Sequence, residues 1–295
     1  TLGDWKIGSP GVSQVSATVP GFTGPAAVFT TTAVVRPFTI DIRFIGTLPS
    51  ADLRDDYIAA AMRWMEIIVG DLPDVAVNMS APCQNRFGEP AVNEVVDDMV
   101  IFASITTIDG RGGVLGQASD CTNRSGSQLT SVGAMEFDIA DAQSLHNSGQ
   151  FTAVAIHEMG HVLGFLGRRF SLRNLIVGFG GADPYFPGAA AVAAWPGLGI
   201  EYAGSLVPLE NTGGQGTANS HWREDILVAE LMTGWIEAAG DYMPLSAITA
   251  AAMFDLGYQV DMSKADPFLP TLMAAPARGG RRFNLHELQP TGWVP

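Results

Sequence analysis

Hydrophobic and polar positions change their spacing several times along the chain, and each change predicts a new element. Residues 1–35 show no sustained period, so we expect irregular or edge-strand structure there. The segment FTIDIRF (38–44) alternates between apolar and polar side chains, which predicts a half-buried strand. From Ser50 to Gly70 the apolar residues recur at helical spacing, so this segment predicts an amphipathic helix.

The middle of the chain combines strands with one apolar helix. Residues 98–108 are almost continuously β-prone, which predicts a central strand. Two shorter strands are expected at 114–119 and at 131–141. The segment 151–163 then predicts a helix that ends at Gly164.

The last part of the chain is rich in loops. Between residues 168 and 220 Gly, Pro and Ala dominate, which indicates an insertion with one short helix over 189–195. A later helix is expected from Ser246, its N-cap, to Gly257. The tail from Ala274 is rich in Pro and Arg and is expected on the surface. Strands and helices are mixed without a continuous βαβ winding, so the predicted fold class is α+β.

Composition excludes two kinds of partner. The net charge is −14 and the isoelectric point about 4.6. The chain therefore offers no basic stripe that would neutralise phosphates, and we expect no nucleic-acid partner. The uncharged stretches 7–35 and 184–200 are interrupted by Gly and Pro. Neither supplies the roughly 20 apolar residues of a membrane span, so we expect no transmembrane segment.

The two cysteines, Cys83 and Cys121, admit two interpretations. Neither belongs to a CxxC motif, so the sequence gives no sign of a redox pair. They form either one disulfide in an exported protein or two buried thiols in a cytosolic one. We favour the disulfide because the features described below indicate export.

The segment AVAIHEMGHVLGFLG (153–167) carries the strongest chemical signal. His157 and His161 stand four residues apart, so a helix points both imidazoles the same way and lets them reach one ion. Glu158 lies beside them, where its carboxylate can contact a water without binding the metal. A His-Glu-His group on a helix this apolar would be costly to bury without an ion.

A catalytic zinc site usually takes three protein ligands, and the third is not local here. In the pattern HExxHxxGxxH the third histidine would fall at Gly167, which has no side chain. His221 is the leading candidate, and Glu224 and Glu230 are the alternatives. The other two histidines are given surface roles, His146 in an exposed loop and His286 in the tail.

Several segments in the same order resemble one known family. The segments HEMGHVLGF, SHWREDI and ELMTG, separated by the loop-rich interval, are similar to the leishmanolysin family of metzincin zinc peptidases. The resemblance covers roughly Asp98 to Asp261. It implies one catalytic zinc ion, a general base and a methionine turn beneath the metal. The residues it assigns are the zinc ligands His157, His161 and His221, the base Glu158 and the turn methionine Met232.

The resemblance also implies an architecture. We expect a metzincin-like zincin with a mixed twisted sheet and an active-site helix. An N-terminal catalytic subdomain (1–166) would carry the sheet and the HExxH helix. A C-terminal subdomain (167–295) would carry the insertion, the third histidine, the methionine turn and the late helix, with the cleft between the two. The better-known members are rich in disulfides, whereas this chain can form only one.

An extended polypeptide substrate is expected along a sheet edge. The best candidate is the glycine-containing segment GVLGQ, which could pair backbone to backbone with a peptide. The alternative is a plain hairpin without a binding role. The five residues of this predicted substrate segment are Gly113, Val114, Leu115, Gly116 and Gln117.

The remaining predictions concern other ions and location. Two acidic pairs, Asp97 with Asp98 and Asp138 with Asp141, are candidates for calcium, although neither matches an EF-hand loop. We expect a secreted protein from which a signal peptide and a propeptide have been removed. Sequence alone does not predict the oligomeric state.

Two alternative functions would also involve a bound zinc ion. One is a secreted binding or adhesion module with vestigial activity, which the intact Glu158 disfavours because a structural site needs no base. The other is a zinc amidohydrolase that acts on an amide outside polypeptides.

Overall fold

The computed structural model describes residues 11–17, 27–33, 37–198, 205–214, 216–269, 281–282 and 292–294, the first two and last two ranges as strands only. Most of the Pro/Arg-rich tail, including His286, therefore lies outside the described residues. The chain divides into two compact units, Thr1–Pro37 and Phe38–Pro295. In the first unit β1 (Gly11–Ala17) and β2 (Ala27–Ala33) form an antiparallel hairpin.

A five-stranded mixed sheet is the framework of the second unit. In spatial order its strands are β13 (Gly292–Val294), β7 (Gly116–Arg124), β8 (Thr130–Asp138), β6 (Met99–Thr106) and β3 (Ile40–Phe44). Only β7 and β8 are antiparallel, while the pairs β3/β6, β6/β8 and β7/β13 are parallel. The coarse prediction of an α+β fold with a mixed sheet is therefore confirmed.

Two long helices bury their apolar faces together. They are α1 (Ala51–Ile67) and α3 (Phe151–Val162), which begins and ends within one residue of the predicted bounds. The indole N–H of Trp64 on α1 donates to the Ile156 carbonyl of α3 at 2.8 Å. Truncation of such a fully buried tryptophan typically costs about 3–5 kcal/mol, so this contact fixes α3 against the core.

Three local predictions were wrong. Helix α1 ends at Ile67 rather than next to Gly70, because Val69 N–H turns to the Gln259 carbonyl at 2.9 Å. The strand expected over 131–141 ends at Asp138, and a further helix, α2 (Ile139–Asn147), follows it directly. His146 lies in α2 and not in an exposed loop, and its ring contacts the Asp56 carboxylate at 2.6 Å.

A second small core lies under the hairpin of β4 (Val75–Met79) and β5 (Val92–Val96). The disulfide Cys83–Cys121 joins this region to β7, so the favoured pairing is confirmed. Closing a loop of this length (38 residues) restricts the unfolded chain and contributes on the order of 4 kcal/mol in the chain-entropy description.

The C-terminal part is mostly loops with short elements, as predicted. Helix α7 (Ala247–Leu256) is the main element and packs on α5 (Ala189–Ala194). Ser246 begins α7 and Gly257 ends it in a left-handed conformation. The minor elements are α4 (Gly167–Leu172), β9 (Tyr185–Phe186), the 3-10 turns Trp195–Leu198 and Met262–Lys264, β10 (Val207–Pro208), α6 (Glu224–Leu227), β11 (Trp235–Ile236) and β12 (Arg281–Arg282).

Within the described part of the chain, no helix combines the length and the apolar character that crossing a bilayer requires. The division into subdomains at residues 166 and 167 stays a prediction.

Candidate metal centre

Helix α3 carries two of the predicted ligands and the predicted base. His157 and His161 lie one turn apart, and their Nε2 atoms are 2.9 Å from each other. Glu158 follows His157 on the same helix. All three side chains are fully buried, so the helix presents them to the interior and not to bulk water.

The structure brings His221 to this pair from a distant loop. Its Nε2 atom lies 3.2 Å from His157 Nε2, although 64 residues separate the two in sequence. The three histidines are the only buried group of potential ligands that lies this close together in the described ranges. An ion with Zn–N bonds of about 2.0–2.1 Å is small enough to touch three nitrogens at these separations.

Hydrogen bonds to the backbone define the tautomer of each imidazole. His157 Nδ1 lies 2.7 Å from the Leu231 carbonyl, and His161 Nδ1 lies 2.6 Å from the Phe165 carbonyl. His221 Nδ1 lies 2.9 Å from the Thr217 carbonyl. A carbonyl oxygen only accepts hydrogen bonds, so each Nδ1 must carry a hydrogen and donate the hydrogen bond. The three Nε2 atoms then carry no hydrogen, and their lone pairs face one another.

Three converging lone pairs repel unless a cation lies between them, so the donor set fits a bound metal ion. Burial lowers the pKa of all three imidazoles, that of His221 to about 4, which keeps them neutral as ligands must be. Both Glu158 carboxylate oxygens are buried, and no donor reaches them from the described residues. Burial also raises the Glu158 pKa well above its usual value.

Met232 packs against α3 between the two helical histidines. It is fully buried, and a Cβ added to Gly160 of α3 would lie 2.8 Å from its sulfur. The glycine between the two helical histidines therefore makes room for this side chain. The preceding carbonyl, that of Leu231, accepts from His157, so the same turn supports the site twice.

The alternative third ligands lie elsewhere. Glu230 is buried and accepts hydrogen bonds from Met232 N–H at 2.6 Å and from the Thr249 hydroxyl at 2.5 Å. Ser246 adds its N–H and its hydroxyl, at 3.1 and 2.6 Å. Glu224 begins α6, and burial raises its pKa to about 8. Neither carboxylate belongs to the histidine group.

Gly167, where a shorter pattern would place the third histidine, contacts the loop that brings His221. Its N–H donates to the Ser220 hydroxyl at 3.0 Å. A Cβ at Gly167 would lie 2.9 Å from both the Asn219 carbonyl oxygen and its Cβ. The glycine therefore permits the close approach of the returning chain just before His221.

The first part of the predicted substrate segment lies in a turn, not in a strand. Gly113, Val114 and Leu115 precede β7, which begins at Gly116. Val114 N–H donates to the Asp109 carboxylate at 2.9 Å, which holds the turn. A side chain at Gly113 would collide with the same carboxylate.

The second part of this segment lies beside the candidate base. Gly116 and Gln117 open β7 and pair with Phe137 and Glu136 of β8. The Gln117 amide also donates to the Glu136 carboxylate. A Cβ at Gly116 would lie 2.7 Å from the Phe137 ring and 3.2 Å from Glu158 Oε1. This end of β7 therefore lies beside the candidate base Glu158.

The acidic pairs have structural partners. The Asp138 carboxylate accepts N–H bonds of 2.7–2.9 Å from Ile108, Asp109 and Gly110, and it caps α2 through Ala140 N–H. Asp98 accepts from Thr39 and from Leu72 N–H. These bonds give both carboxylates a role in the fold, and the prediction of calcium remains untested.

Comparisons with known proteins decide the family. The leishmanolysin profile of the M8 peptidases matches residues 83–274, more than half of the chain. The chain belongs to the leishmanolysin family. Leishmanolysin of Leishmania major is 32% identical over 177 residues, which cover 57% of this chain and 28% of that protein. Leishmanolysin of Leishmania tropica is 31% identical over 179 residues, or 57% and 25% of the two chains.

Family membership confirms the resemblance seen in the sequence. Leishmanolysins are zinc-dependent metallopeptidases, and the matched range contains every residue of the histidine group. The chain spans about a quarter of the length of the curated leishmanolysins it matches. Sequence reasoning missed the carbonyls of Leu231, Phe165 and Thr217, because a backbone acceptor has no side-chain signature.

Proposed function

We propose that this leishmanolysin-family chain is a zinc-dependent endopeptidase in which His157, His161 and His221 hold the ion and Glu158 is the general base. The observation that carries the proposal is the convergence of three bare Nε2 atoms beside a buried carboxylate without a donor among the described residues. A purely structural zinc site needs no such carboxylate.

Each group has a defined task in peptide hydrolysis. A zinc ion held by the three histidines would supply Lewis-acid polarisation of a water and of the scissile carbonyl. Glu158 takes a proton from the attacking water and delivers it to the leaving amine. Both Glu158 carboxylate oxygens are buried without a donor from the described residues, so they are available to accept a proton from a water and to return it.

The main-chain carbonyls and Met232 keep the ligands in place. The three Nδ1–H donors fix each ring so that Nε2 stays directed at the ion. Loss of such a supporting interaction typically weakens metal binding or activity by about 10–100-fold. Met232 packs under α3 and gives the ligands a rigid apolar base.

We propose that the peptide substrate lies along the free edge of β7. Among the described strands, β13 pairs with β7 only at Thr122–Arg124, so the beginning of β7 has a neighbour strand on one side only. An extended peptide can add there through main-chain hydrogen bonds. Because a Cβ at Gly116 would lie 3.2 Å from Glu158 Oε1, a peptide on this edge would bring its backbone close to the candidate base.

The substitution Glu158→Gln tests the mechanism. It keeps the shape of the side chain and removes the base, so casein hydrolysis should fall by about 10²–10⁴-fold. Zinc content and circular dichroism should stay unchanged. Glu66→Gln on the exposed side of α1 is the control and should retain full activity. Full activity in Glu158→Gln would reject Glu158 as the base.

We also keep two architectural proposals. The subdomains 1–166 and 167–295 would flank the metal site, since the first contains α3 and the second contains His221. Secretion is proposed from the family and from the disulfide, which persists in oxidising compartments. Detection of the disulfide-bonded protein in the medium of expressing cells would support export, and its retention inside cells would oppose it.

A further inference from the structure

A loop, and not a helix, presents His221 to the metal site. Two main-chain bonds hold this loop: Glu210 N–H donates to the His221 carbonyl at 2.8 Å, and Asn219 N–H donates to the Glu210 carbonyl at 2.8 Å. Such bonds require no particular residue type, because every residue except proline carries the same two groups. They hold His221 beside position 210 without requiring a glutamate there.

The Glu210 side chain adds bonds that do depend on residue type. It is 3% exposed, and its carboxylate accepts hydrogen bonds from residues before and after His221. Oε1 accepts from Asn211 N–H at 3.0 Å, from Thr212 N–H at 2.8 Å and from the Thr212 hydroxyl at 2.6 Å. Oε2 accepts from the N–H of Glu224, the first residue of α6, at 3.1 Å. One carboxylate therefore joins the beginning of the loop to the chain just after His221.

Glu89 provides a comparison within the same chain. It is 4% exposed, and its carboxylate accepts N–H bonds from Cys83 at 3.0 Å, from Asn85 at 2.7 Å and from Phe87 at 3.2 Å. These donors lie in the loop that contains the disulfide, which carries no candidate metal ligand. Both glutamates bury a carboxylate that backbone donors compensate, so they differ mainly in the loop that each one holds.

We propose that Glu210 is a positioning residue that holds His221 in its ligand geometry before the metal ion arrives. The inference deepens the zinc site of the proposed function, on which it rests, and Glu210 acts through the loop that carries His221. A loop loses conformational entropy when it is fixed, and this loss weakens metal binding if it occurs only on binding. Because the carboxylate fixes the loop beforehand, the ion meets His221 Nε2 already 3.2 Å from His157 Nε2.

Hydrogen exchange of the metal-free wild type tests the order of events. The amides of Thr212 and Glu224 donate to the Glu210 carboxylate, so they should exchange slowly without zinc and gain little protection when zinc is added. The Asn85 amide, which donates to Glu89, is the reference in the same sample. Fast exchange at Thr212 and Glu224 without zinc, with protection that appears only after zinc is added, would overturn the proposal.

The variant Glu210→Gln tests the carboxylate itself, with Glu89→Gln as the matched control. An amide nitrogen cannot accept a hydrogen bond, so glutamine releases the loop on one side of His221. The zinc dissociation constant, measured by competition with a chelator, should rise by about 10–100-fold in Glu210→Gln and stay unchanged in Glu89→Gln. Cobalt(II) bound in place of zinc should show altered visible bands only in Glu210→Gln, because these bands depend on the geometry of the ligands.

Both substitutions should lower the midpoint of denaturant unfolding, so a loss of stability alone does not produce this contrast. Wild-type zinc affinity and cobalt bands in Glu210→Gln, or an equal loss of affinity in both variants, would overturn the proposal. Loss of zinc in His221→Ala with full affinity in Glu210→Gln would overturn this inference and leave the proposed function standing. A selective loss of affinity in Glu210→Gln, in a protein that cuts no polypeptide, would support this inference and refute the peptidase function.

Discussion

We define the return segment as residues 205–214 and 216–236. Helix α3 and the return segment bring their histidines to one point by different means. On α3 the spacing of a regular helix aligns His157 with His161, and burial against α1 fixes the helix. The return segment contains little regular structure. Its geometry depends instead on hydrogen bonds to buried carboxylates.

Two glutamates organise the return segment. Glu210 accepts N–H bonds from Thr212 at 2.8 Å and from Glu224 at 3.1 Å, and its own N–H donates to the His221 carbonyl at 2.8 Å. Glu230 ties the turn that contains Leu231 and Met232 to the start of α7 through Ser246 and Thr249. The comparison teaches that one half of the site follows from helical periodicity and the other half from a few buried acceptors.

The largest effect is expected from Glu230→Ala. It leaves several buried donors without an acceptor, at about 1–3 kcal/mol each, so the free energy of unfolding should fall by on the order of 3–5 kcal/mol. Zinc binding should weaken as well, because the Leu231 carbonyl that supports His157 lies in the same turn. Denaturant titration and zinc titration measure the two effects.

The control for this prediction is Thr152→Ala on α3, which removes one hydrogen bond to Asp56. It should cost about 1–2 kcal/mol and leave zinc affinity unchanged. Equal loss of zinc affinity in both variants would remove the distinction between the two halves of the site.

Gly116→Ala should reduce activity more than stability. The added methyl group would crowd the Phe137 ring and Glu158 Oε1, and overpacking of this kind costs about 1–3 kcal/mol. We expect kcat/KM to fall by about 10–100-fold with zinc content unchanged. Gly126→Ala, where an added Cβ meets nothing within 4 Å, should match the wild type. Equal activity of the two variants would contradict the proposal that the beginning of β7 takes part in substrate binding or catalysis.

A smaller effect, on stability, is expected from Asp138, which lies in the part of the chain before α3. Burial raises its pKa, but four backbone N–H bonds outweigh burial, so the folded pKa is lowered. Its contribution to stability is therefore complete above the unfolded pKa of about 3.9 and is lost as the pH falls through the folded value. Asp138→Asn should cost about 1–2 kcal/mol at neutral pH and reduce the loss of stability below pH 4. Identical acid-unfolding curves for variant and wild type would contradict this role.

The regular parts of the fold were predictable because their apolar residues recur at the spacing of a strand or a helix. The alternation of 38–44, the β-prone run 98–108 and the apolar segment 151–163 correspond to β3, β6 and α3. Helix α2 was missed because the segment IADAQSLHN is short and has only a weak apolar face. The one signal for α2 in the sequence is Asp138, which is the N-cap residue of this helix.

The candidate site was predictable only in its side chains. The HExxH spacing fixed two imidazoles and a carboxylate, and the position of His221 followed from the resemblance and from the few histidines available. The supporting carbonyls could not be predicted, because any residue type supplies them. The role of Glu230 was also not predictable, since a buried structural carboxylate and a metal ligand look alike in sequence.

Zinc stoichiometry tests the central claim most directly. Zinc per chain should be measured by elemental analysis after gel filtration, in the wild type, in His221→Ala and in His146→Ala. The account predicts one zinc ion per chain in the wild type and in His146→Ala, whose ring contacts Asp56 away from the site. It predicts almost none in His221→Ala. A full zinc ion with unchanged affinity in His221→Ala would contradict the account.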